Sequence, residues 1–111
     1  MQEVVADALR GPENHLPMIV DKAKASLETV YGWLDRELAA GGWATPHGFT
    51  LADCAAAPSL FYADWVHRIP DHLENLRAYR ARLLAHPTVA RCVEDARPFR
   101  SYFPLGAPDR D

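Results

Sequence analysis

The sequence predicts an all-α domain of about five helices packed around one buried central helix. Three observations carry that reading. Apolar residues recur at helical spacing in several separate segments, and prolines and glycines mostly fall between those segments. No run alternates apolar and polar residues as a half-buried strand does. The third is a cap-like stretch, Gly48-Phe49-Thr50-Leu51-Ala52-Asp53-Cys54, leading into an apolar run from Ala55 to Val66.

Thr50 is placed as an N-cap, its hydroxyl accepting the Asp53 N–H while the Asp53 carboxylate reaches back to the N–H of Thr50. Phe49 and Cys54 flank this capping box where a hydrophobic staple closes. Beyond it, Leu51, Ala52, Cys54 to Ala57, Leu60 to Tyr62, Trp65 and Val66 leave few polar directions. A helix apolar nearly all round is buried, and one this short is a core helix rather than a membrane span. Pro58 lies inside it, where a proline costs about 3 kcal/mol and bends the axis, so a kink is expected near residues 54–59.

The other elements follow in order. Residues 1–10 read as a short helix with Val4, Val5, Ala8 and Leu9 on one side, stopped by Gly11-Pro12. Pro17 suits the first position of a second helix, along which Ala23, Leu27, Val30, Leu34 and Leu38 recur with Tyr31 beside them. That helix is expected over residues 17–40, ended by Gly41-Gly42, and Gly32 within it implies a close-packed neighbouring backbone. Leu73, Leu76, Tyr79 and Leu83 mark a helix over 72–85. Pro87 opens another, with Val89, Cys92, Val93 and Ala96 inward. Residues 1–97 form the expected domain. Residues 98–111 form a tail that packs on it through Phe99, Tyr102, Phe103 and Leu105.

Composition narrows the function. With 49% hydrophobic and 24% charged residues over 111 positions, the chain is an ordinary globular domain, expected to bury about 65% of its unfolded surface. No membrane span and no secretory signal is read, and a cytoplasmic location is expected. Cys54 and Cys92 fall on apolar helix faces and read as buried free thiols, slow to react. The net charge of −3 argues against nucleic acid. Residues 1–76 carry 5 basic and 11 acidic side chains, net −6, whereas residues 77–111 carry 7 and 4, net +3. Arg77, Arg80, Arg82, Arg91, Arg97 and Arg100 are expected to form a solvated face with local ion pairs.

Familiar catalytic patterns are missing. The five histidines, His15, His47, His67, His72 and His86, show no metal-ligand spacing. Asp53 and Asp64 lie eleven apart, about 16 Å along one helix face, too far to share a substrate. Tyr31, Trp33, Tyr62 and Trp65 read as core, the alternative being the lining of an apolar substrate cavity. No catalytic, cofactor-binding or metal-binding residue is assigned.

Phe49-Thr50-Leu51-Ala52-Asp53 followed by Ala57-Pro58 resembles the cap and central helix of the C-terminal helical domain of glutathione transferases. Leu73-Glu74-Asn75-Leu76 and His86-Pro87-Thr88-Val89 extend the likeness over about residues 17–96. Cys54 departs from it, since the family's staple commonly has a larger aliphatic residue there. The resemblance implies that residues 1–10 are the tail of the domain's first long helix, and that Val5, Ala8, Leu9, Trp65 and Tyr102 wall a hydrophobic-substrate site. It implies a parent that uses glutathione as co-substrate, bound and activated by a separate N-terminal thioredoxin-like domain missing from these residues. The chain is then a truncated or partial one, not catalytic alone, and expected to form a homodimer. The alternative is a stand-alone helical module for protein–protein interaction.

Overall fold

The computed structural model describes all 111 residues as an all-α fold. Its helices are α1 (Gln2–Ala8), α2 (Pro17–Glu37), α3 (Leu51–Val66), α4 (Glu74–Ala85) and α5 (Pro87–Ala96). Short 3-10 helices occupy Pro12–Asn14 and Arg97–Tyr102. The one β feature is an isolated bridge between Thr45 and Gly48. Pro17 and Pro87 both stand in the first turn of their helices, where a missing N–H costs nothing. Gly41 and Gly42 follow α2 with φ of 73° and 79°, a backbone state that excludes most side chains and ends the helix.

α3 carries seven of the fifteen buried residues and is the centre of the fold. Its Ala57, Leu60 and Ala63 meet Tyr31 of α2 and Leu76, Tyr79 and Leu83 of α4, with Ile69 from the connecting loop. A smaller cluster joins Val4 of α1, Ala23 of α2 and Val66 of α3, covered by Phe103 of the tail. α3 continues unbroken across Pro58, and the Ser59 hydroxyl bonds the Ala55 carbonyl at 2.8 Å. Its second side is open: Leu51, Cys54, Pro58 and Tyr62 are exposed, so burial all round is not what the fold delivers.

Helix ends are tied by carboxylates from elsewhere in the chain. Asp35 of α2 accepts the Leu76 N–H at the start of α4 at 2.8 Å, and Asp7 of α1 accepts the Leu16 N–H ahead of α2 at 2.7 Å. Both satisfy N–H groups that a helix start leaves without a partner. Between α2 and the end of α3, the Tyr31 hydroxyl donates to the His67 carbonyl at 2.8 Å, and the His67 ring meets Glu28.

Two expectations for α2 change. The covered stripe runs through Ala23, Leu27, Tyr31, Leu34 and Leu38, while Val30 turns outward and is 48% exposed. No neighbouring backbone approaches Gly32; a Cβ there meets only Arg36 Nη1, at 3.7 Å. Its backbone is helical, so the residue carries the entropy cost of glycine with no packing return. Gly32→Ala should therefore raise stability by about 0.5–1 kcal/mol, read as a higher urea midpoint. A lowered midpoint would show a packing need at this position.

Candidate functional site

The cap ahead of α3 is built around one carboxylate. Asp53 has no exposed surface, yet its oxygens accept four donors. Oδ2 takes the Thr50 N–H at 2.9 Å, and Oδ1 takes the Ala44 N–H at 2.9 Å and the Tyr79 hydroxyl at 2.7 Å. The Thr50 hydroxyl adds a weaker contact to Oδ2 at 3.4 Å. The capping box is present, with the Thr50 side chain turned to the Asp53 N–H. That half falls short of a full hydrogen bond, and the Asp53 N–H goes to the Thr50 carbonyl at 3.0 Å. The two halves of the box are unequal, and Asp53 carries most of it.

The electrostatics follow from those partners. Burial alone would raise the Asp53 carboxyl, but the donors from Ala44, Thr50 and Tyr79 outweigh it and hold the group below its usual range. The Tyr79 phenol is pushed above its ordinary value, first by burial and then by its bond to Asp53. Asp53 is thus an acceptor anchored on three chain segments and has no free oxygen face for catalysis.

Phe49 is held on the other side of the cap. Its ring stacks on His86 at 3.8 Å between centroids and stands edge-on to Trp43 at 5.0 Å. The expected staple partner, Cys54, is exposed, and so is Cys92. This corrects the reading of both as buried thiols. The reason lies in α5, which packs on α4 and on the 3-10 helix but not closely on α3. The apolar side of α5 therefore looks into a gap.

That gap is an apolar groove of about 660 Å³ between α3, α5 and the tail. Both cysteines line it, with Phe61, Tyr62, Trp65 and Phe103 forming an aromatic wall. Trp65 stands 4.6 Å from Phe61 and 5.2 Å from Phe103, and the Arg100 guanidinium lies over its ring at 5.3 Å. The Trp65 Nε1–H is buried without an acceptor. Of the residues expected to wall a substrate site, Trp65 and Tyr102 line this groove. Val5, Ala8 and Leu9 do not: Val5 packs beside Val4, Ala8 is half-buried, and Leu9 is exposed. The groove's α5 wall, including Val89 and Val93, was legible as an apolar period, but nothing in the period said it would be left uncovered. No three His, Cys, Asp or Glu side chains come together as a metal set.

The arginines resolve into local pairs. Arg77 meets Asp71 at 3.1 Å, Arg91 meets Asp95 at 3.7 Å, and Arg97 meets Glu94 at 2.8 Å. Arg82 donates to the Gly42 carbonyl at 2.6 Å. Arg97 and Arg100 both bond the Asp111 carboxylate, and Arg110 bonds Asp64. The tail is fastened by these ion pairs and by Phe103; Phe99, Tyr102 and Leu105, expected to pack, are exposed.

Removing the Asp53 carboxylate strands the Tyr79 hydroxyl and two backbone N–H groups. Asp53→Ala should cost about 3 kcal/mol or more, and Thr50→Ala about 0.5–1 kcal/mol. Because the folded carboxyl is held below its unfolded value, its contribution is full above about pH 4 and is lost as pH falls through the folded value. Urea midpoints at pH 7 and pH 3 should therefore converge for Asp53→Ala relative to wild type. Equal losses at pH 7 for the two variants would refute the asymmetry. The thiols give a second test. Cys54 and Cys92 should each react with a colorimetric disulfide reagent in the native state as fully as in urea, and protection of either would contradict the open groove.

A family model, the glutathione S-transferase C-terminal domain, matches residues 17–82 of the sequence. Neither curated proteins nor solved structures gave a match. The matched span holds α2, the Asp53 cap, all of α3 and most of α4. An all-α fold centred on α3, with this match over more than half its length, belongs to the glutathione S-transferase C-terminal domain family.

Proposed function

We propose that these residues form the hydrophobic-substrate side of a glutathione transferase-like protein and act with a thioredoxin-like domain that they do not themselves contain. One observation carries the proposal: the apolar groove is part of a larger excess of uncovered surface. A compact protein of this mass exposes about 6,100 Å². This chain exposes 7235 Å². The surplus is of the order that one partner contributes to a stable interface, about 800 Å². Residues 98–111 form a tail strapped across one end of the groove, with Tyr102 and Phe103 on its wall.

On this reading the chain alone conjugates no glutathione. Binding the thiol peptide takes polar groups for its charged ends and a donor beside its thiolate. The groove offers a mostly apolar lining, and its two thiols have no base hydrogen-bonded to them. A cytoplasmic setting fits two exposed free cysteines, since a reducing compartment keeps them unpaired. Without its partner the chain should self-associate as a symmetric dimer through residues 1–10 and the adjoining turn, where Leu9 is 70% and Met18 83% exposed.

Two measurements test this. Incubated with glutathione and a chlorinated aromatic substrate, the chain should show no turnover above the uncatalysed rate, and turnover abolished by Cys54→Ala would overturn the assignment. Sedimentation at high micromolar concentration should show a dimer. A clean monomer that also fails to bind a thioredoxin-like domain would favour the free-standing interaction module instead.

A further inference from the structure

A second, smaller cavity lies near the C-terminal end of α3. It holds about 260 Å³ between the end of α3, α4 and the tail, and its lining is mostly polar. Four guanidinium groups converge there, from Arg68, Arg77, Arg80 and Arg110. Their local compensation is incomplete. Asp64 serves both Arg80, at 3.7 Å, and Arg110. Asp71 serves both Arg68, at 3.2 Å, and Arg77, at 3.1 Å, through the same oxygen. The Asp111 side chain lines the cavity but is already bonded by Arg97 and Arg100 from outside. Four cations thus share two side-chain carboxylates and the main-chain oxygen of Asp111, so positive charge exceeds negative at the cavity.

The least satisfied of them is Arg80. Its side chain is 12% exposed, and its Nε and Nη1 go to the Leu60 carbonyl and the Asp111 main-chain oxygen at 3.3 Å each. Its Nη2 is buried with no hydrogen-bond acceptor. Burial, the largest influence on this guanidinium, draws its pKa below the ordinary value, with Asp64 opposing. Planar guanidinium groups present paired N–H donors that match the oxygens of a phosphate, singly or bidentately. Asp71 is itself exposed, so its pairs with Arg68 and Arg77 are weak enough to be exchanged for a stronger anion.

We infer that the cavity lined by Arg68, Arg77, Arg80 and Arg110 binds a doubly charged tetrahedral oxyanion, inorganic phosphate or the phosphoryl group of a small monoester. The dianion balances the excess positive charge, with Arg68 and Arg77 closing over it from the solvent side. Ile69 and Leu84 add an apolar border. The site shares none of the groove's lining residues and does not depend on the function proposed for the groove.

Titration of the full chain with inorganic phosphate and, separately, with phenyl phosphate tests the inference, at constant ionic strength set with chloride. Amide spectra should show saturable shifts centred on Ile69 and on the Arg80 Nε–H. Arg68→Gln and Arg77→Gln, both at exposed positions, should fold normally and each weaken binding about tenfold. Tighter binding of phenyl phosphate than of phosphate would identify a monoester as the ligand; equal or weaker binding would identify the free ion. Shifts that chloride alone reproduces, or affinity unchanged in both variants, would overturn the site. Arg80→Lys, which keeps the charge but loses the fork, should weaken binding without changing the far-ultraviolet circular dichroism.

Discussion

Asp53 is the constraint on which the arrangement depends. A carboxylate with no exposed surface joins three pieces of chain: the loop through Ala44, the first turn of α3 through Thr50, and α4 through Tyr79. Burying a charge is costly unless its lone pairs are filled, and here they are filled from directions that cannot all be met unless α3, α4 and the loop are in register. Asp7, Asp35 and Asp64 repeat the device more simply, each accepting one loop or helix-start N–H from across a gap. With twelve buried apolar residues, the core sets which faces meet, and these carboxylates set how far along their axes the helices slide.

The molecule divides along α3. One side, through Leu60 and Ala63, is committed to the core, and Ala57 stands between core and groove. The other, through Cys54, Pro58 and Tyr62, faces a groove that α5 borders without closing. Core and groove are thereby separated on one helix: residues that fix the fold point inward, and those that line the groove point away. The charges at the far end of α3 are tied up in the same economical manner, with single carboxylates shared between pairs of arginines.

Much of this was legible in the residues. Pro17, Pro87, Gly41-Gly42 and the Thr50–Asp53 spacing marked helix ends because they act locally, through groups within a few residues. The Tyr79 partner of Asp53 was not legible, since its position follows from packing between helices and no local pattern encodes it. Exposure of Cys54 and Cys92 was missed for a related reason. Periodicity shows which face of a helix is apolar and says nothing of whether another surface arrives to cover it. For α2 one did, along Tyr31 and Leu34; for α5 none did. The arginine-rich final third was read as paired, and the partners are short-range carboxylates such as Asp71, Glu94 and Asp95. The convergence of four arginines on one cavity required the fold of the tail.

Phe103 belongs both to the aromatic wall of the groove and to the cover over Val4, Ala23 and Val66. A residue near the end of the sequence therefore completes the packing of one near its beginning. On a ribosome, α1 leaves the exit tunnel long before the surface that seals it has been made, and contacts of such large sequence separation close late and slowly. Until then α1 has Ala23 of α2 and Val66 of α3 to pack on, but not Phe103. Phe103 is thus the last of these packing residues to be synthesised.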